Sequence, residues 1–154
     1  MNYKEQIKSQ YPHTILPRNV GIIHMSGSKT NYRWNPDYLS FRLFHSRGIF
    51  TTKWNRVSIE TKLQEKYRGY RYEFFLNNNL LPEISKVPIS DLNFYQDEIN
   101  LDRLDNIGSN ILYIEEPVLI IRDGEQLILY NGYHRTTIHI FNEKSNIMGY
   151  IFDL

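Results

Sequence analysis

The sequence predicts an α+β fold, and three features carry that prediction. Val118 to Ile121 and Leu127 to Tyr130 are compact apolar runs joined across Asp123-Gly124, a hairpin signal. Leu101, Leu104, Ile107 and Ile111 repeat at the spacing of an amphipathic helix. Leu127 to Tyr130 then leads through Asn131-Gly132 into a helical segment from about His134 to Asn142. With Val87-Pro88-Ile89 as an opening strand and Met148 to Phe152 as a closing one, the order is strand, helix, hairpin, helix, strand.

The elements ahead of that unit are read in turn. Tyr3 to Ser9 is a short polar helix candidate, and Pro12 and Pro17 are breakers. Val20 to Met25 fits a strand, and Gly27 to Asn31 a loop. Asn35-Pro36-Asp37 signals a helix start, with the helix carrying Tyr38, Leu39, Phe41, Leu43 and Phe44 up to Gly48. Ile49 to Trp54 fits a strand. Ser58 is the expected cap of a helix running to Arg68 and ended by Gly69. Tyr70 to Leu76 fits either strand or helix. The turn Asn77-Asn78-Asn79 separates a mostly helical, basic and aromatic-rich extension, 1–80, packed on the core, from the α+β unit at 81–154. In that unit Ser90 is read as a cap before Asp91-Leu92. Pro117 stops the amphipathic helix, and Asn146 turns the chain.

Composition narrows the class. Of 154 residues 41% are hydrophobic and 14% aromatic, enough for a core and against global disorder. The chain has 0 cysteines, which removes disulfides, thiolate zinc sites and cysteine nucleophiles. Met1 to Gln10 lacks the apolar centre of a signal peptide, and no apolar run approaches the roughly 18 residues of a membrane span. The expected location is the cytoplasm. Net charge is only +1, yet ten basic residues against three acids lie between Ser28 and Tyr72, and ten acids against three bases between Glu73 and Asp123. Such asymmetry fits a polyanion-binding surface, or two halves that neutralise each other across an internal interface.

The chemistry concentrates at Asn131-Gly132-Tyr133-His134-Arg135-Thr136-Thr137. A strand enters a glycine and then a helix, whose free N–H groups and dipole favour an anion. Gly132 permits close approach of a ligand to the backbone. Arg135 can add a bidentate fork to a phosphate, and His134 can donate to phosphate or move a proton. The hydroxyls of Thr136 and Thr137 offer further donors. His139, four residues after Arg135, is either near the same site or part of a packed helix. His13, His24 and His45 have no ligand-like spacing. The local carboxylates for a base or a magnesium ligand are Asp97, Glu98, Asp102, Glu115 and Glu116. In the first half, Arg33, Arg47, Arg56, Arg68 and Arg71 interleave with aromatic residues, a pattern that suits a nucleic-acid groove.

These segments resemble the ParB/sulfiredoxin-like superfamily over roughly 85–154. Val87-Pro88-Ile89-Ser90-Asp91-Leu92 looks like its opening strand, and Asn100 to Ile111 resembles its following helix. Glu116-Pro117-Val118-Leu119-Ile120 and Asp123-Gly124 resemble its next strand and hairpin, and Gly132 to Arg135 its phosphate motif. The resemblance implies that Gly132, His134 and Arg135 contact the phosphates of a nucleoside tri- or diphosphate with Mg²⁺. The implied activity is phosphoryl transfer or phosphate-ester hydrolysis, with His134 and Arg135 as catalytic residues. A DNA-associated nuclease or non-catalytic DNA- or RNA-binding protein is the second expectation, and an interaction protein of phage or plasmid type that keeps the fold is the third. Three departures are visible. Tyr133 stands where sulfiredoxin has its cysteine, Asn131 stands where an Asp often precedes the glycine, and the arginine-rich and helix-turn-helix parts of ParB are missing.

Overall fold

Asn2 opens helix α1 (Tyr3–Gln10) by accepting the Glu5 N–H at 2.9 Å. Pro12 then starts a short 3₁₀ turn, Pro12–Thr14. A computed structural model of the chain describes residues 2–16, 18–23, 30–35, 37–67 and 81–154, the backbone alone at 18–23 and 30–35. Strands β1 (Arg18–Ile23) and β2 (Thr30–Asn35) pair antiparallel, so the first half is less helical than expected. The helix expected from Tyr38 to Gly48 is also replaced. Tyr38–Ser40 forms strand β3, and only Phe41–Phe44 is helical, as α2. Helix α3 (Arg56–Lys66) has its cap three residues before the expected one. Asn55 is the cap and Ser58 its reciprocal partner, each side chain accepting the other's backbone N–H at 2.9 Å. Ile49 to Trp54 contributes only an isolated bridge, Phe50 to Phe94. The expectations placed on Gly69, Tyr70 to Leu76 and Asn77 to Asn79 lie outside the described residues.

The second half follows the expected order. Strand β4 (Ile84–Pro88) leads into a 3₁₀ turn, Ile89–Asp91, where a Ser90 cap was expected. Short strands β5 (Leu92–Asn93) and β6 (Glu98–Asn100) precede helix α4 (Leu101–Gly108) and the separate turn of helix α5 (Ile111–Ile114). Strands β7 (Val118–Asp123) and β8 (Gln126–Asn131) form the hairpin. Gly124 takes the first loop position with φ 63°, where two-residue hairpin turns require positive φ. Helix α6 (Tyr133–Phe141) and strand β9 (Asn146–Asp153) complete the described chain. The class is α+β, with a five-stranded sheet in the order β4-β9-β7-β8-β5 and the pairs β1-β2 and β3-β6 beside it.

Central strand β7 explains its own composition. It lies between β9, parallel, and β8, antiparallel, and both its faces are covered. Val118 and Ile120 join a core cluster with Ile7 of α1, Leu101 and Leu104 of α4 and Ile138 of α6. Leu119 and Ile121 join a second cluster with Ile59 and Leu63 of α3 and with Phe152. A strand buried on both sides reads as a continuous apolar run, and each such side chain contributes about 1.5–3 kcal/mol on burial.

Residues from 1–80 and 81–154 share these clusters, with Ile7, Leu39 and Phe41 packed beside Val118 and Tyr133. Opposite charges also meet across that division. Lys4 Nζ lies 2.9 Å from Asp102, and Lys53 Nζ lies 2.8 Å from Asp123. Among the described residues no helix is long and apolar enough to cross a membrane.

Candidate phosphate-binding site

Strand β8 delivers the chain to Gly132, which caps helix α6 at φ 110°, in the left-handed region. A Cβ there would stand 2.5 Å from Val118 Cγ1 and 3.3 Å from Arg135 Nη2, so glycine is required by space as well as by φ. The Thr136 N–H makes the first bond of the helix, to Gly132 O at 2.8 Å. The N–H groups of Tyr133, His134 and Arg135 thus precede the helical ladder, and no side chain caps them. They lie at a cavity of about 220 Å³ lined by Asn131 to Arg135, by Tyr95, Gln96 and Tyr130, and by Arg56, Arg103, Ile107 and Tyr113.

The five residues of the turn have different fates. Asn131 is exposed at the cavity edge. Tyr133 is buried and belongs to the core. Its hydroxyl donates to Leu129 O at 2.7 Å and accepts the Tyr95 N–H at 3.0 Å, and burial pushes its ionisation far up. Its partner Tyr95 donates to Tyr130 O at 2.7 Å and is pushed up to about 12 by burial. The strand end, the Tyr95 loop and the helix start are therefore tied together through two tyrosine hydroxyls.

Arg135 is only 6% exposed. Its Nη1 donates to the carbonyls of Glu116 at 3.0 Å and Pro117 at 3.2 Å, and its guanidinium lies over the Tyr113 ring at 4.9 Å. One arm of the fork is spent on closing the α5–β7 connection. Nη2, beside Gly132, has no partner among the described residues, and Nε is buried without one. The carbonyl contacts occupy Nη1 alone, and the Nε–Nη2 edge is without a partner among the described residues, with Nε buried.

His134 lines the cavity with Nε2 buried and unpartnered among the described residues. Burial, and after it the Arg103 charge, push the ring down to about 4, so the imidazole is neutral at pH 7. Thr136 and Thr137 are fully buried, and their hydroxyls donate to Gly132 O and Tyr133 O at 2.8 Å. Both expected anion donors are committed to the preceding helical turn. His139 bonds Ile114 O at 3.1 Å, which makes it a packing group between α6 and α5.

No family model matches the chain, and no curated protein or solved structure does either.

Sequence reasoning missed Arg103, Tyr95, Gln96 and Tyr130. Arg103 is exposed on α4, lines the cavity and has no ion pair among the described residues. Its available signal was a lone base in an acidic stretch, on the polar side of the Leu101, Leu104, Ile107 stripe. Of the arginines expected on a nucleic-acid surface, Arg56 reaches this cavity and pairs with Glu60 at 3.0 Å. Arg47 lines a different cleft, beside Lys144 and Ser145. Arg33 has only its backbone described, and Arg68 and Arg71 lie outside the described residues. The neighbouring aromatics Phe41, Phe44, Trp54 and Tyr67 pack against the core.

Carboxylates are sparse at the cavity. Glu60 is held by Arg56 and accepts from Tyr130 at 2.9 Å, and those contacts hold it below the usual carboxylate range. Asp102 pairs with Lys4, and Glu116 approaches Arg135 Nη1 at 3.8 Å. Among the described residues no three His, Asp or Glu side chains gather as a metal site. None of the described residues that line the cavity is an aspartate or a glutamate.

Proposed function

We propose that the α6 cavity binds the phosphates of a nucleotide and that the protein belongs to the phosphoryl-transfer or phosphate-ester-hydrolysing class, with the phosphates carrying Mg²⁺. The single observation that carries this reading is the uncapped start of α6 at a cavity also lined by Arg103, which has no ion pair among the described residues. Three backbone N–H groups, the positive end of a nine-residue helix and a guanidinium converge on one volume. Preorganised donors of this kind stabilise charge that builds on phosphoryl oxygens in the transition state.

The residues divide the work. Arg103 supplies the mobile cation, and Arg135 holds the turn with one arm while Nη2 faces the ligand side. Neutral His134 either donates a hydrogen bond to a phosphate oxygen or accepts a proton from the attacking hydroxyl or water. Gly132 lets Val118 pack against the turn and supplies its left-handed backbone. A Mg²⁺ ion on the phosphates would supply charge neutralisation.

A thermal-shift panel of ATP, ADP, CTP and GTP with Mg²⁺ tests the reading. A rise in Tm with at least one nucleotide, lost in Arg103→Ala, is expected. No rise with any of them sinks it. Of the arginines expected on a DNA- or RNA-binding surface, Arg56 lines this cavity and Arg47 a separate cleft.

A further inference from the structure

Helix α3 brings one further cation to the α6 cavity. Arg56 is its first residue and lines the cavity, although it belongs to the first half of the chain. The helix is fixed there by Ile59 and Leu63, which are buried in a cluster with Tyr130 of β8. Stability alone does not account for an arginine at this position. A helix start favours acids over cations, yet the first turn of α3 has no acid and begins with Arg56. Its pairing with Glu60 runs cation before carboxylate at i,i+4, the weaker of the two orders.

The arginine is nevertheless held in place. Its Nε donates to Glu60 Oε1 at 3.0 Å, and the hydroxyl of buried Tyr130 donates to the same oxygen at 2.9 Å. Tyr130 also lines the cavity, and its carbonyl accepts the Tyr95 hydroxyl at 2.7 Å. Glu60 is thus tied to the strand that leads into Gly132, and Arg56 is tied to Glu60. That tie uses Nε alone and leaves Nη1 and Nη2 without a partner among the described residues.

We propose that Arg56 is a ligand-contacting residue of the α6 cavity, and that Glu60 and Tyr130 are positioning residues that hold its guanidinium at the cavity wall. This inference rests on the phosphate reading above. Arg103 enters from α4 and its charge acts on His134, whereas Arg56 enters from α3 and its charge acts on Tyr95. Guanidinium groups on two walls suit an anion with charge at both ends, which linked phosphoryl groups have and a single phosphate has not. Arg56 therefore favours polyphosphate over orthophosphate. A guanidinium oriented before the ligand arrives also loses less rotamer freedom on binding.

Glu60 supplies a sign that separates positioning from charge alone. Removing a carboxylate beside an anion site strengthens anion binding by simple electrostatics, whereas removing a positioning group weakens it. Isothermal titration at low salt compares tripolyphosphate and orthophosphate on wild type, Arg56→Ala, Glu60→Ala, Tyr130→Phe and the Arg56→Ala/Glu60→Ala double variant, with urea unfolding to check that each is folded. Tripolyphosphate is expected to bind about tenfold more weakly to Arg56→Ala and about threefold more weakly to Glu60→Ala, with a smaller loss in Tyr130→Phe. Glu60→Ala is expected to add no further loss once Arg56 is gone, because the two act as one unit. Orthophosphate affinity is expected to change by less than about twofold in Arg56→Ala. Equal tripolyphosphate binding by wild type and Arg56→Ala overturns the Arg56 contact and leaves the phosphate reading standing. Tighter binding by Glu60→Ala overturns the positioning role, and an equal loss of both ligands in Arg56→Ala overturns the selectivity. Absence of binding to wild type overturns the phosphate reading and this inference with it.

Discussion

Val118 packs so closely on Gly132 that a Cβ at Gly132 would lie 2.5 Å from Val118 Cγ1. The contact ties the start of the central strand to the start of helix α6, so the turn at Gly132 is built into the core.

Gly132→Ala is therefore expected to destabilise the protein by about 2–4 kcal/mol, combining the left-handed backbone with the overpacking of Val118. Urea unfolding measures it. A double change with Val118→Ala would recover the steric part and leave the conformational part.

Arg135→Ala is expected to cost about 2–4 kcal/mol, because it leaves the carbonyls of Glu116 and Pro117 without their charged donor in a buried place. Arg135→Lys retains the charge but loses the fork and its position over Tyr113, and is expected to fall between wild type and Arg135→Ala. Chemical denaturation of the three proteins checks the order. Loss of ligand binding in Arg135→Ala is consequently a weaker indicator of phosphate contact than loss in an exposed variant.

His134 predicts a pH dependence of stability. Its folded value, about 4, lies below the ordinary value of 6.5, so between these limits the unfolded chain binds the proton more readily. Its contribution is fully present above about pH 6.5 and is lost as pH falls towards 4, by at most about 3 kcal/mol. Buried His45 is shifted in the same direction by burial and adds to the slope. Denaturation at pH 7 and pH 4.5 should therefore show a smaller drop for His134→Gln than for wild type. An equal drop would contradict the buried neutral imidazole.

Asp123 accepts from both Lys53 Nζ and Trp54 Nε1 at 2.8 Å, joining the segment before α3 to the hairpin tip. Asp123→Ala is expected to lower stability by about 1–2 kcal/mol and to red-shift the tryptophan fluorescence as the Trp54 indole gains water. Unfolding curves and an emission spectrum test both.

Much of the second half was legible because its signals are local. The apolar run of β7, the Asp123-Gly124 turn and the Leu101, Leu104, Ile107 stripe each act within a few residues. The misreading of Tyr38 to Ser40 came from a partner distant in sequence. Tyr38 to Ser40 resembles a helix start, but pairs with Glu98 to Asn100 as β3, and that pairing overrides the local pattern. Ser58 carries a capping side chain and so resembles a cap, but it is the N3 member of a box whose cap is Asn55. At the site, the glycine and the helix start were readable from residue order. Helical phase placed Thr136 and Thr137 inward, and Arg103 arrived from another helix, which no local pattern announces.

The central claim is that the uncapped start of α6 and Arg103 together hold phosphate. Titration calorimetry of tripolyphosphate into wild type and Arg103→Ala at low salt tests it most directly, since Arg103 is exposed and its removal should leave stability within about 0.5 kcal/mol. The account predicts saturable binding to wild type that weakens at least about tenfold in Arg103→Ala and fades with added salt. No binding to wild type, or equal binding to both proteins, would contradict it.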